Sequence, residues 1–126
     1  MKSDIRDYKD LVVWQKAYEL CVEVYKATRD FPRSELYGMV LQLRRAAVSI
    51  PSNLAEGHTR QHTGEFIQFI YTALGSSSEL ETHLMISLEL KYLKENEFEN
   101  LSKRLIEIRK MLNGLINSLR EKIRGK

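Results

Sequence analysis

Two histidines, His58 and His62, stand four residues apart, the spacing at which successive turns of a helix can clasp one metal ion. Gly57 and the polar residues around them argue for a loop instead, and no third ligand accompanies the pair. His83 has Glu79 four residues before it, and Glu81 and Glu89 lie nearby, but a di-iron bundle needs paired Glu-x-x-His motifs and none is present. Ser76, Ser77 and Ser78 offer hydroxyls without a strand-to-helix elbow, and no histidine or acid is arranged to activate them. Cys21 stands alone on an apolar helical stripe, which suits a reducing compartment and gives little support for a nucleophile. Glycine-rich phosphate loops and dinucleotide fingerprints are also missing. These side chains point to a protein that is not an enzyme, with no cofactor, no metal and no small-molecule substrate.

Charge supplies the other chemistry. The net charge is +3, but it is unevenly spread. From residue 103 to 126 eight basic residues face only Glu107 and Glu121, a balance of +6, whereas residues 1 to 102 carry twelve basic and fifteen acidic residues. Such a cationic end attracts phosphate, and an assembly would multiply the effect. Arg44, Arg60, Lys103, Arg104, Arg109 and Lys110 are the candidate phosphate partners. The competing reading is a solvated helix face, since Arg120, Lys122 and Arg124 also complement the dipole of a helix end. Helix-turn-helix signatures, zinc-finger spacing and aromatic strands for stacking RNA bases are lacking, so any binding should be led by shape and phosphate.

A third set of groups surrounds Pro51. Leu36, Val40, Leu43, Ala47, Ile50 and Leu54 step by four and three along one helical face, and Pro51 interrupts that stripe without ending it. Its ring removes the donor that would reach the carbonyl of Ala47, at about 3 kcal/mol in an ordinary helix interior. Gln42, Arg45, Ser49, Ser52 and Glu56, with Asn53 beside them, form a polar line on another face. One reading makes this line a contact surface for a partner. The other makes it a brace for a kink, with Ser49 and Asn53 meeting freed carbonyls and Arg45 pairing with Glu56 or a neighbouring helix.

The elements that hold these groups are helical. Apolar periodicity places helices over about 11–29, 35–56, 64–91 and 97–122. Asp10 is expected to cap the first, Ser34 the second and Thr63 the third; Gly57 suits a left-handed turn closing the second. Phe66, Ile70, Ala73, Ser77, Leu80, Leu84 and Leu88 trace the buried side of the third helix, and Gly75 within it suggests a place where a neighbour comes close. Lys91 sits where a glycine would be more comfortable, so the helix runs on or the turn is strained. Asn96 with Glu99 resembles a cap for the fourth, whose Leu101, Leu105, Ile108, Leu112, Leu115 and Leu119 alternate by four and three. Four such helices with short links imply an all-α, antiparallel up-down-up-down four-helix bundle with a proline-kinked second helix, a single domain over 1–126. Tyr18, Tyr25, Leu11, Ile106, Met111 and Ile123 lie partly off the main seams, which favours a homo-oligomer over a monomer with a widened core.

Composition is that of an ordinary soluble domain, 43% hydrophobic and 29% charged. Nothing behind Met1 resembles a signal core and no eighteen apolar residues run together, so a cytoplasmic protein with no membrane contact is expected.

The run DLVVWQKAYEL (10–20), the pair Phe31–Pro32, RRAAVSIPSNLAEG (44–57) and EFIQFIYTALGSSSELETHL (65–84) resemble, in order and spacing, the four-helix-bundle family encoded in intervening sequences of bacterial 23S rRNA genes. The resemblance covers roughly residues 8 to 119, and at Lys91 the chain departs from a glycine usual in the family. More distantly the chain is similar to the accessory variability protein of diversity-generating retroelements. That resemblance implies a ring, a pentamer, working beside structured RNA or DNA. The sequence therefore leads to a non-enzymatic oligomeric bundle associated with nucleic acid as an accessory or scaffold, the alternative being a purely protein-binding scaffold. The line Gln42, Arg45, Ser49, Pro51, Asn53, Glu56 and Gly57 is its structural or interface feature.

Overall fold

The second, third and fourth helices bury the faces their apolar periods mark. The computed structural model describes residues 7–125, with α1 over Val12–Thr28, α2 over Met39–Thr59, α3 over Thr63–Glu89 and α4 over Glu95–Arg124; short 3-10 turns occupy Tyr8–Asp10 and Arg33–Glu35. Among the described residues there is no strand. Residues 1–6, on which the reading of a missing signal core rests, and Lys126 lie outside the described residues. α1 packs on α2 and α4, α2 packs most extensively on α3, and α3 packs on α4, so each helix has two neighbours, as in a bundle. Leu20, Leu43, Ile50, Leu54, Ile70, Leu80, Leu84, Leu101, Leu105, Ile108 and Leu112 are fully buried at the shared centre, each removing apolar surface worth about 1.5–3 kcal/mol.

Several local expectations are corrected. α1 is not capped by Asp10, which lies in the preceding 3-10 turn; its first turn takes no side-chain cap. α2 begins at Met39 rather than near residue 35, because Glu35, not Ser34, caps it by accepting a hydrogen bond from the Met39 amide at 2.9 Å. It also runs to Thr59, past Gly57, so Gly57 and His58 are helical and the connection shrinks to residues 60–62. The left-handed turn falls on Gln61, φ 62°. Thr63 is the first residue of α3 and not its cap; His62 holds the cap position without a side-chain bond. α4 starts at Glu95, where the Glu97 carboxylate accepts from the Lys94 amide at 3.0 Å, in place of the Asn96–Glu99 arrangement, and continues to Arg124.

Side-chain placement differs at a few positions. Leu36 is 49% exposed, since the chain is not yet helical there. The buried stripe of α1 runs through Val13, Ala17, Leu20, Val24 and Thr28, so Trp14 and Cys21 only flank the core. Leu11 is buried and Met111 half-buried, leaving Tyr18, Tyr25, Ile106 and Ile123 as the exposed members of the off-seam set. Gly75 faces open space, and no side chain approaches it. The close approach occurs at Gly57, where a β-carbon would lie 2.6 Å from Cβ of Phe69. At Lys91 the strained alternative holds: φ is 64°, and the Tyr92 and Leu93 amides turn back to the Ser87 carbonyl.

Candidate functional site

Helical spacing splits the polar line of α2 into two groups with different work. Ser49 and Asn53 turn inward: the Ser49 and Ser76 hydroxyls are 2.7 Å apart, and the Asn53 amide donates to the Ser49 carbonyl at 2.7 Å and hydroxyl at 2.9 Å. This ties α2 to α3 two residues from buried Pro51. The amide serves Ser49, however, and not the Ala47 carbonyl that Pro51 leaves without its usual donor. Arg45 does not pair with Glu56; eleven residues of helix separate them by about 16 Å. Glu56 instead takes Arg60 at 3.0 Å, one turn away.

Gln42, Arg45, Ser52 and Glu56 remain exposed on the outer ridge. Around that ridge lies an open groove of about 780 Å³. Leu36, Tyr37, Leu41, Val48 and Tyr25 line it together with Arg44, Arg45 and Glu56, and Tyr37 is 86% exposed. A second apolar cleft of about 320 Å³ adjoins it across Val48 and Ser52, with Trp14, Tyr18, Cys21 and Pro51 in its walls. Trp14 stacks on Tyr18 at 5.3 Å and meets Tyr8 edge-on. Large apolar side chains left in solvent on two adjacent helices form a surface suited to burial against another protein. No acid–base pair or activated nucleophile lies within the groove; burial pushes the nearby Cys21 thiol up from its ordinary range, away from the reactive thiolate.

The six cationic candidates do not form one patch. Arg44 is turned inward, donating to the Thr28 hydroxyl at 3.0 Å and lying 4.5 Å over the Tyr25 ring. Arg60 bridges Glu56 and Glu65 above the Phe69 ring. Arg104 reaches Asn100 and Glu19. Arg109 bonds Ser77 and Ser78 at 3.0 and 3.1 Å and Glu81 at 3.0 Å, joining α4 to α3. Those four guanidinium groups brace the bundle. Lys103 and Lys110 stand exposed on one side of α4, seven residues apart, with exposed Ile106 between them. Further along, Arg120 bonds the Tyr71 hydroxyl and Arg124 pairs with Glu121. The arginine partners Tyr25, Tyr71 and Phe69 come from other helices, so no sequence spacing marked them.

His83 lies 3.7 Å from Glu79, and among the described residues no three metal-ligating side chains converge. No helix of the described residues is long and apolar enough to cross a membrane.

Compared with curated proteins, the sequence matches none. Among solved structures it is similar to a protein of unknown function from the S23 ribosomal protein family of Bacteroides thetaiotaomicron, with 27% identity over 83% of this chain and 98% of that one, and a TM-score of 0.75. The profile of the 23S rRNA-intervening sequence protein family matches residues 9–114, spanning all of α1, α2 and α3 and two thirds of α4. With helices in the order and packing described above and a profile covering most of its length, the chain belongs to the 23S rRNA-intervening sequence protein family.

Proposed function

We propose that this protein is a non-catalytic helical scaffold that self-associates through the outer face of α1 and α2. The observation that carries this reading is the α2 groove, where Leu36, Tyr37, Leu41 and Val48 remain in solvent beside Tyr25. Burying such side chains is the main source of free energy for association, and a central exposed arginine beside them is typical of binding surfaces. Resemblance to the retroelement accessory protein suggests a closed ring, with five subunits as the expected number. A cytoplasmic setting accords with the unpaired Cys21.

A second reading, contact with nucleic acid, is favoured by Lys103 and Lys110, exposed on a helix whose C-terminal part carries a marked positive excess. The family's connection with ribosomal RNA genes makes structured RNA the natural candidate. The two readings are compatible, since a ring repeats each cationic face.

Light scattering on a size-exclusion column, run with and without structured RNA at several salt concentrations, tests both. The expected mass is a fixed multiple of 14.8 kDa, falling to one subunit when Leu41 and Val48 are replaced by glutamate. A wild-type chain that elutes as one subunit at every concentration overturns the scaffold reading. Absence of an RNA-dependent mass increase at low salt overturns the second.

A further inference from the structure

The far end of α2 holds a second cavity, of about 460 Å³, separate from the groove. Its floor is apolar, formed by Leu11, Phe66, Leu115 and Leu119. Its rim carries His58 from the last turn of α2, His62 from just before α3 and Lys122 from α4, together with Gln61 and Thr63. No carboxylate lines it. A volume of this size lies within the usual range for small-molecule sites, and an apolar floor with a few convergent polar groups is their usual construction.

We infer that this cavity binds a phosphomonoester whose molecule also carries a flat aromatic ring, the chemistry of a nucleotide bearing a terminal phosphate. The three side chains are the reason for preferring a doubly charged head. Two imidazoles and an ammonium bring N–H donors to the one cavity, and the Lys122 ammonium makes its bond to phosphate a charge-assisted one. His62 is also the cap residue of α3, whose first turn receives no side-chain cap, so its amides add partial positive charge at the same rim. The floor suits the base: His58 already meets the Phe66 ring edge-on at 5.7 Å, leaving a hydrophobic bed against which a planar ring can lie. Gly57 lines the cavity too, and its lack of a β-carbon lets α2 pass close enough to α3 to set His58 beside Phe66.

The same chemistry comes from two sources, a free mononucleotide or the 5′-phosphate end of an RNA strand. This inference does not depend on self-association or on Lys103 and Lys110. It is tested by nuclear magnetic resonance of the histidine ring protons in the full chain. Adenosine 5′-monophosphate is expected to shift the His58 and His62 signals saturably, while adenosine shifts them weakly. Lys122→Glu, at an exposed position, is expected to weaken the nucleotide about tenfold or more without altering the melting temperature. Short oligoribonucleotides with a 5′-phosphate or a 5′-hydroxyl identify the source: a preference for the phosphorylated strand over the free nucleotide assigns the site to RNA ends, and the reverse assigns it to mononucleotides. If neither the nucleotide nor the phosphorylated strand shifts the two histidines saturably, the inference fails. It fails equally if adenosine binds as tightly as its monophosphate, or if Lys122→Glu leaves the affinity unchanged.

Discussion

Replacing Gly57 with alanine should destabilise the protein, although alanine is the better helix former. Gly57 is buried inside α2, and an added β-carbon would lie 2.6 Å from Cβ of Phe69, 3.2 Å from its Cγ and 3.0 Å from Cδ1 of Phe66. Carbon atoms rest comfortably at about 3.5–4.0 Å, so the worst overlap is about 1 Å. A β-carbon is fixed to its backbone, so Phe69 cannot relieve the overlap by rotation; α2 and α3 must move apart. Overpacking of this kind costs about 1–3 kcal/mol, and a rigid contact belongs at the upper end. The gain in helix propensity returns about 1 kcal/mol, for a net loss of about 2 kcal/mol. For a domain of this length that corresponds to a fall of roughly 8 °C in melting temperature. Gly75 and Gly114 are the internal controls, because a β-carbon at either meets nothing within 4 Å. Gly75→Ala should raise the melting temperature by up to about 4 °C from propensity alone. Calorimetry or thermal circular dichroism at one fixed protein concentration reads all three. A Gly57→Ala protein that melts at or above wild type refutes the steric argument, provided Gly75→Ala gives its expected rise.

Lys91→Gly should add about 1 kcal/mol, since φ of 64° strains any residue with a side chain, a change read from denaturant midpoints. Asn53→Ala removes two bonds to Ser49 and should lower stability by about 1–2 kcal/mol in the same measurement. If RNA binds, Lys103→Ala with Lys110→Ala should reduce the slope of log affinity against log salt by about 1–2, whereas Arg109→Ala should chiefly lower the melting temperature, because that guanidinium joins α3 and α4. Tyr92 donates to Glu35 at 3.0 Å, and that bond, followed by burial and the carboxylate's charge, raises the hydroxyl above the ordinary tyrosine range. A raised folded value means stability that is complete below the unfolded tyrosine value near pH 10 and lost as pH climbs past the folded one. Tyr92→Phe should therefore flatten the alkaline limb of a stability-against-pH curve.

The helical class and the central residues of α2, α3 and α4 were legible, because four-and-three spacing repeats over long stretches and burial enforces it. Caps were less legible. Glu35 captures the Met39 amide from outside the helix, and Glu97 the Lys94 amide, so the expected Ser34 and Asn96 had stronger competitors only three-dimensional geometry reveals. The close approach falls at Gly57 instead of Gly75 for the same reason: whether a missing β-carbon matters depends on a neighbouring helix, and Phe69 comes to Gly57 while nothing comes to Gly75. At the candidate site, the polar line was visible but its division was not, since inward Ser49 and outward Arg45 differ only in rotation about one axis. The arginines read as phosphate ligands are mostly internal struts, because their partners Thr28, Glu65, Ser77 and Glu81 are supplied by loop closure and helix pairing rather than by adjacency in the chain.

Glu35 has a consequence beyond capping. One of its oxygens holds the first amide of α2 and the other holds the Tyr92 hydroxyl, whose ring lies 5.6 Å from that of Phe31. Two stretches of chain more than fifty residues apart are thereby latched by a single carboxylate. In amide exchange the leading turn of α2 and the bend joining α3 to α4 should behave as one cooperative unit, each losing protection when the latch is released.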